Sequence, residues 1–229
     1  MRIAVLGTGV VGQSLAGGFA KAGHEVTMGT RDVEATRSRQ ETPAGAPPGT
    51  RPVAEWLAGH PEVRLASFAD AAAGAELVVN ATSGTASLGV LDAAGAANLD
   101  GKPLLDVSNP LDFSAGFPPT LFVKDTDSLA EQIQRAYPGA RVVKSLNTVN
   151  AAVMVTPTDV AGGDHTIFVA GDDGGAKETV RGLLGELGWH DVVDVGDLTG
   201  ARGLEMLLPL WLRLMLTFGT PAFNFKVVR

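Results

Sequence analysis

The sequence predicts a doubly wound α/β fold, with a mostly parallel sheet of about eight strands covered by helices on both faces. Apolar runs of strand length recur along the chain, and they lack the polar face of a half-exposed strand. The predicted strands are 2–6, 25–28, 63–66, 76–81, 103–107, 140–146, 166–170 and 191–195. Stretches of helical length rich in Ala, Leu and Glu alternate with them, at 11–22, 86–97, 127–136 and 176–187.

The bulk composition predicts one domain and excludes several classes of function. A chain of 229 residues that is 45% hydrophobic suffices for one core, so we treat 1–229 as a single domain. The net charge of -7 argues against a nucleic-acid partner. With no cysteine, disulfides and thiolate chemistry are excluded. The N-terminus enters a strand without a signal-like leader, which favours a cytoplasmic protein.

Three other segments complete the organisation of the chain. Residues 41–52 contain four prolines and two glycines and predict an exposed loop. Residues 110–125 predict a second loop, leading to a helix capped at Asp125 or Asp127. Residues 199–229 predict a C-terminal helical cap and a tail; their apolar run at 204–216 is shorter than the ~20 residues that a membrane span needs.

Three glycines follow the first predicted strand in the order G-x-G-x-x-G, at Gly7, Gly9 and Gly12. Gly7 permits a tight turn, Gly9 lets a pyrophosphate approach the backbone, and Gly12 lets the next helix pack on the strand. The N–H groups of the first helical turn then face the phosphates. Because strand, turn, helix and second strand follow in order, the segment predicts the dinucleotide site of a Rossmann fold.

The end of the second strand predicts which dinucleotide binds. An NAD site usually has an acidic residue there, whereas an NADP site has a basic residue for the ribose 2′-phosphate. The strand is predicted to end at Met28 and Gly29, so Gly29 or Thr30 occupies the position that is acidic in an NAD site, and Arg31 follows. A guanidinium and a hydroxyl suit a phosphate, so the sequence favours NADP. Asp32 could be the NAD-type acid by residue count, but it lies beyond the strand.

Ligands of an open α/β sheet bind across the carboxyl ends of the strands, so the residues after the fourth, fifth and sixth strands are candidates to face the nicotinamide. They are Ala81, Thr82, Ser83, Ser108, Asn109, Pro110, Asn147 and Thr148. All are uncharged, so we predict no catalytic acid or base among them. Such a site suits hydride exchange with a second redox cofactor stacked on the first.

The remaining titratable residues are interpreted as structural. Lys144 is interpreted as a charge near a strand end, with a catalytic role as the lesser alternative. The histidines expected at the surface are His24, His60, His165 and His190. Asp172 and Asp173 open a helix, so an N-terminal cap is favoured over a metal site, and we predict no metal.

Four segments carry a family resemblance: 2–32, KSLNTVNA at 144–151, VAGDDGGAKETV at 169–180 and DVGDLTGARGLEMLLPLWLRLM at 194–215. Together they resemble the NADPH-dependent oxidoreductases that reduce coenzyme F420, a deazaflavin. The resemblance covers nearly the whole chain and is weakest from 33 to 62. It implies that Thr8, Thr30 and Arg31 contact the 2′-phosphate, that Val10 and Val11 lie along the pyrophosphate, and that Ala151 lies near the nicotinamide amide.

Two positions depart from the family pattern. Ala35, with Arg37 nearby, stands where the family has a lysine four residues past its arginine. Asn147 stands where the family has a histidine against the deazaflavin. The Asn-Thr version is similar to the cytoplasmic reductase domain of the membrane metalloreductases, which pass electrons from NADPH to a flavin. The resemblance therefore implies NADP(H) and a second ring cofactor, either coenzyme F420 or FMN/FAD.

Two alternative functions remain open, and one oligomeric state is predicted. Reduction of a small imine or carbonyl is an alternative, although relatives of that kind have a long helical C-terminal domain that about thirty residues cannot supply. A non-catalytic NADP-binding redox sensor is the other. The run LLPLWLRLM, 207–215, has more apolar surface than one sheet face should absorb, which predicts a homodimer interface.

Overall fold

A computed structural model describes residues 1–42 and 50–229, so residues 43–49 of the predicted loop lie outside the described residues. The strands are β1 (Arg2–Leu6), β2 (Glu25–Thr30), β3 (Arg64–Ser67), β4 (Leu77–Asn80), β5 (Pro103–Asp106), β6 (Leu111–Asp112), β7 (Thr120–Leu121), β8 (Arg141–Ser145), β9 (Thr166–Gly171) and β10 (Asp191–Asp194). The helices are α1 (Val10–Lys21), α2 (Val33–Ser38), α3 (Val53–Ala58), α4 (Phe68–Gly74), α5 (Gly84–Ala94), α6 (Ala96–Leu99), α7 (Leu129–Ala136), α8 (Ala151–Val155), α9 (Gly174–Glu186), α10 (Ala201–Met206) and α11 (Leu208–Phe218). In this part of the chain no helix is long and apolar enough to cross a membrane.

The main sheet has eight strands in the order β10-β9-β8-β5-β4-β1-β2-β3. All neighbouring pairs are parallel except β8 and β9, which confirms the predicted mostly parallel sheet. From β1 the chain proceeds outward through β2 and β3, and then returns to place β4 on the other side of β1. The connections therefore diverge between β1 and β4, and a crevice opens there at the carboxyl ends of the strands.

The two faces of the sheet bury separate apolar layers, as a doubly wound fold requires. Along β1, Ile3 and Val5 belong to one layer, while Ala4 and Leu6 belong to the other. The first layer is covered chiefly by α1, α8 and α9, and the second by α4, α5 and α7. Because successive strand residues face opposite sides and both sides are covered, the central strands are apolar over most of their length, which is why they could be recognised as apolar runs.

The connection from β5 to α7 differs from the expectation in two ways. It contains a short antiparallel hairpin of β6 and β7. The helix is capped by Ser128, whose Oγ accepts from the Glu131 N–H at 3.1 Å, so the predicted cap at Asp125 or Asp127 was wrong. Asp127 is instead engaged with the Arg135 guanidinium, 2.7 Å away.

The C-terminal segment forms two helices and an ordered tail. Leu208, Trp211 and Leu212 of α11 are buried in a small cluster that also contains the tail residues Phe223 and Phe225. The rings of Trp211 and Phe223 stack at 5.2 Å. This tail covers one face of α11, and further apolar side chains of the helix remain exposed, namely Leu210, Leu216 and Phe218.

Candidate functional site

The glycine turn after β1 is shaped by close backbone contacts. Gly7 has a φ of +122°, and a Cβ there would lie 2.6 Å from the Ala81 carbonyl oxygen. A Cβ at Gly12 would lie 2.1 Å from the Gly7 carbonyl oxygen. A Cβ at Gly9, in contrast, would meet nothing within 4 Å. Packing therefore requires glycine at the two outer positions, whereas Gly9 leaves open space above the backbone, as a pyrophosphate needs.

The first turn of α1 presents free donors to that space. Gln13 is the first residue of the helix to complete a backbone bond, to Gly9 O at 2.9 Å, so the N–H groups of Val10, Val11 and Gly12 have no intrahelical acceptor. No side chain caps this end, and no acidic residue lies in the first turn. The Gln13 amide, itself buried, donates to the carbonyl of Thr8 at 3.1 Å and holds the turn in place. This end of α1 thus fits a bound anion.

The end of β2 carries the residues predicted to select NADP. The strand extends to Thr30, beyond the predicted end at Met28 and Gly29. The buried Thr30 hydroxyl shares a 2.7 Å hydrogen bond with the Thr36 hydroxyl, and Asp32 caps α2 by accepting from Ala35 N. The exposed Arg31 forms no hydrogen bond or ion pair with the described residues. A free guanidinium beside the glycine turn suits a phosphate, while the Asp32 carboxylate is already used by the helix.

The loops after β4 and β5 form the next part of the crevice. Ala81 is buried, Thr82 is half-buried and Ser83 is exposed. The Thr82 hydroxyl donates to Asn80 Oδ1 at 2.6 Å, which fixes its direction. A Cβ at Gly84 would lie 2.1 Å from the Asn109 carbonyl oxygen, so the two loops are in backbone contact. Pro110 follows, buried, at the start of the hairpin.

The turn after β8 holds Asn147 and Thr148, which are 3% and 1% exposed. The Asn147 amide donates to Asn109 Oδ1 at 2.9 Å and to the Leu204 carbonyl at 3.0 Å, and the Asn109 amide donates back to the Asn147 carbonyl. Leu146, just before, has a φ of 61°, in the left-handed region that non-glycine residues rarely adopt. The hydrogen bonds of Asn147 therefore hold a strained turn against the β5 loop and the C-terminal helix.

Lys144 lies one residue before the end of β8, near the strand end as interpreted, and the structure shows in addition that it is fully buried. Its ammonium lies 2.7 Å from Asp106 Oδ2 and 2.9 Å from Glu205 Oε1, and it donates to the Ser108 carbonyl. Burial opposes its charge, but the two carboxylates together outweigh burial, and the pKa of Lys144 is raised above its ordinary value. Lys144 is thus a charged structural group beneath the crevice.

The other titratable residues lie away from the crevice. His165 is buried, where Nε2 donates to the Pro157 carbonyl and Nδ1 accepts from Asn224, so the expected surface role was wrong for this histidine. Asp173 caps α9 by accepting from Ala176 N at 2.7 Å, which confirms the predicted cap. Among the described residues, no group of three or more metal-ligating side chains occurs.

The structure brings several of the predicted site residues together at the carboxyl ends of the strands. The loops after β1, β4 and β5 are in backbone contact, the turn after β8 is hydrogen-bonded to them, and Ala151 opens α8, which packs beside α1. Sequence reasoning missed Asp106 and Glu205. The nearest signal was Lys144 itself, an ammonium in an otherwise apolar strand, which needs buried acidic partners.

This fold and this glycine turn, with a free arginine at the end of β2, are typical of an NADP-dependent oxidoreductase. The family model described as "NADP oxidoreductase coenzyme F420-dependent" matches residues 2–110. The F420-dependent NADP reductase of Methanothermobacter marburgensis is 31% identical over 218 residues, covering 93% of this chain and 92% of that protein. The chain belongs to the family of coenzyme F420-dependent NADP oxidoreductases, and it is an NADP-binding enzyme of the oxidoreductase class.

Two further similarities extend this result. A crystal structure from Arthrobacter sp. FB24, provisionally described as an F420-dependent NADP-reductase, is 58% identical, has a TM-score of 0.94 and is covered over 100% of both chains. Metalloreductase STEAP3 of Rattus norvegicus is 29% identical over 217 residues, which is 92% of this chain but 38% of that protein. The likeness to a metalloreductase expected from the Asn-Thr turn is therefore confirmed.

Proposed function

We propose that this enzyme transfers a hydride between NADPH and coenzyme F420. The observation that carries the proposal is the crevice itself, which is open above Gly9 and has only uncharged side chains directly after β4 (81–83), after β5 (107–110) and after β8 (146–148). A second redox ring needs a flat, neutral surface more than an acid or base, because the ring itself accommodates the charge. The names of the similar reductases support the same acceptor.

In this proposal each part of the crevice binds one part of NADPH. The N–H groups of Val10 and Val11 bind the pyrophosphate above Gly9, where they have no other acceptor. Arg31, with Thr8 and Thr30, binds the 2′-phosphate. The Thr30 hydroxyl already shares a hydrogen bond with the Thr36 hydroxyl. It can therefore donate to the phosphate only when Thr36 is the donor in that shared bond.

The nicotinamide end is formed by the remaining predicted residues: Ala81, Thr82, Ser83, Asn109, Pro110, Asn147, Thr148 and Ala151. NADPH supplies the hydride and becomes NADP⁺, while the ring acceptor takes up that hydride together with one proton from water. The protein's contribution is to hold the two rings in register. Asn147 and Thr148 contribute through the shape of the turn, because their side chains are nearly covered.

A flavin is the second candidate acceptor. Asn147 favours it, because the family's histidine is missing from the turn and a metalloreductase shares the similarity over nearly the whole of this chain. The two acceptors use the same NADPH site, so only the ring differs. FMN or FAD therefore has to be measured beside coenzyme F420.

An anaerobic acceptor screen tests the function. NADPH oxidation is followed by absorbance with coenzyme F420, with FMN, and with a cyclic imine or a ketone. We expect oxidation with a ring acceptor. Oxidation only with the imine or ketone would replace the proposal by the small-substrate reductase, and tight NADPH binding without any oxidation would replace it by the redox sensor.

We further propose a homodimer, and a cytoplasmic location in keeping with the use of NADPH. On α11, Leu210 is 50% exposed and Leu216 is 49% exposed. Phe218 is 55% exposed although its ring packs edge-on against Phe223 of the tail. Exposed apolar side chains on a C-terminal helix suit an interface. A monomer in sedimentation would remove this proposal.

A further inference from the structure

The most unusual group outside the crevice is the buried charge cluster of Asp106, Lys144 and Glu205. These residues are at most 1% exposed. Burying three charges is costly, and an apolar replacement of similar volume is often as stable or more stable. Stability alone therefore does not explain why this cluster is present. A need to hold the surrounding backbone segments in fixed positions is a physical explanation.

Every hydrogen-bonding position of the Lys144 ammonium is used. It donates to Asp106 Oδ2, to the Ser108 carbonyl and to Glu205 Oε1. These three acceptors come from the end of β5, from the loop after it and from α10. The Lys144 ammonium thus links β8 to the end of β5, to the loop after β5 and to α10 in the C-terminal cap.

The two carboxylates extend the same network. Asp106 Oδ1 accepts from the Ser108 N–H and hydroxyl and from the Asn80 amide at 2.9 Å. Glu205 accepts from the first N–H groups of α7, at Leu129 (2.8 Å) and Ala130 (3.2 Å). The cluster therefore fixes the β4 and β5 ends and the start of α7 relative to α10.

The strained turn after β8 is hydrogen-bonded to residues that neighbour this cluster in sequence. Asn147 is held by Asn109 and by the Leu204 carbonyl, and these are adjacent in sequence to Ser108 and Glu205. The cluster makes no hydrogen bond to the glycine turn or to Arg31. It approaches the glycine turn through Asn80, whose neighbour Ala81 packs with its carbonyl against Gly7. A change at Lys144 should therefore act first on the nicotinamide end of the crevice, where the hydrogen bonds to Asn147 lie, and leave Arg31 and the adenosine end unchanged.

We propose that Lys144 is a positioning residue for the nicotinamide end of the crevice, acting through Asp106, Ser108 and Glu205 on the loop and turn that carry Asn109 and Asn147. The inference rests on the proposed function in that it assumes NADPH bound along this crevice. Lys144 touches no reacting atom; it fixes the surface on which the rings lie.

The test compares Lys144→Met and Glu205→Gln with the control Lys177→Met, which removes an ion pair with Asp194 on the far part of the sheet. Each variant is measured for three quantities: the Kd of 2′,5′-ADP, the fluorescence anisotropy of bound NADPH, and the single-turnover rate with coenzyme F420 or FMN. In the first two variants we expect the rate to fall about 100-fold and the anisotropy to fall, with the Kd within about threefold of wild type. The control should match wild type in all three.

Unchanged rate and anisotropy in a folded variant would overturn the proposal, and so would a parallel loss of 2′,5′-ADP affinity. Glu205→Gln is the second variant because it keeps the Asp106–Lys144 pair if Lys144→Met fails to fold. Hydrogen exchange on the wild type adds a test that needs no variant: the N–H groups of Ser108, Leu129 and Ala130 should open only with global unfolding, and faster local exchange would contradict the proposal. If the wild type reduces neither ring, the proposed function fails, while the affinity, anisotropy and exchange measurements still decide the role of Lys144.

Discussion

Replacing Gly9 by alanine should separate cofactor binding from folding. The backbone at Gly9 has φ −77° and ψ −175°, which alanine adopts, and a Cβ there meets no protein atom within 4 Å. The cost to the free energy of unfolding is therefore limited to the weaker capping by alanine, less than about 1 kcal/mol. The new methyl group would nevertheless stand in the space that the pyrophosphate has to enter.

The expected loss of affinity follows from the donors at this end of α1. A phosphate displaced by a methyl group loses one or two charge-assisted hydrogen bonds to the Val10–Gly12 N–H groups, each contributing about 1.5–3 kcal/mol. A loss of about 3 kcal/mol raises the Kd of NADPH roughly 150-fold. Binding of 2′-AMP, which has no pyrophosphate, should stay unchanged.

Calorimetric titration with NADPH and with 2′-AMP measures both effects, and urea unfolding measures stability. Gly182→Ala is the matched control, because that exposed helical glycine also has nothing within 4 Å of its Cβ position. The control should bind NADPH normally and be more stable by about 1 kcal/mol, as expected for alanine inside a helix. A Gly9→Ala protein that binds NADPH within about threefold of wild type would refute the placement of the pyrophosphate.

Three further predictions concern other parts of the molecule. Arg31→Ala should weaken NADPH binding about tenfold and leave NADH binding unchanged, whereas Arg64→Ala, at the amino-terminal end of the neighbouring strand β3, should alter neither. Equal affinities of the wild type for the two dinucleotides would contradict the NADP assignment. Hydrogen bonds from Arg135 hold the pKa of Asp127 down at about 2, so this carboxylate stabilises the fold above its ordinary pKa of 3.8 and loses that effect as the pH falls towards 2. Asp127→Asn should therefore cost at most about 1 kcal/mol in urea unfolding at neutral pH, since the pair is solvent-screened, and almost nothing near pH 2; a pH-independent difference would refute this. Leu210→Glu should convert the proposed dimer to a monomer in sedimentation, and an unchanged dimer would place the interface elsewhere.

The sequence predicted the main sheet well because its physical cause is local. Each of the eight strands of that sheet overlaps an apolar run of the sequence, and the glycine turn has a spacing that few other structures need. The hairpin was missed because β6 and β7 have two residues each, too few to show alternation. The α7 cap was misplaced among Asp125, Asp127 and Ser128, since each is a good capping residue.

The buried charges were beyond sequence reasoning for a different reason. Lys144 acquires its partners from β5 and from a helix 61 positions later, so no spacing rule connects them. His165 was misjudged in the same way, because its partner Asn224 comes from the C-terminal tail. The predicted crevice residues were found because they share the ends of neighbouring strands, whereas the groups that hold them in place are set by tertiary contacts.

Close backbone contacts of Gly12 with Gly7, of Gly7 with Ala81 and of Gly84 with Asn109 pack the loops that follow β1, β4 and β5 directly against one another. A large displacement of one of these loops would therefore collide with the backbone of its neighbour. The hairpin and the C-terminal helices have no such contacts with the glycine turn among those described above, so differences in entry rate between large and small acceptors should be sought in those two elements.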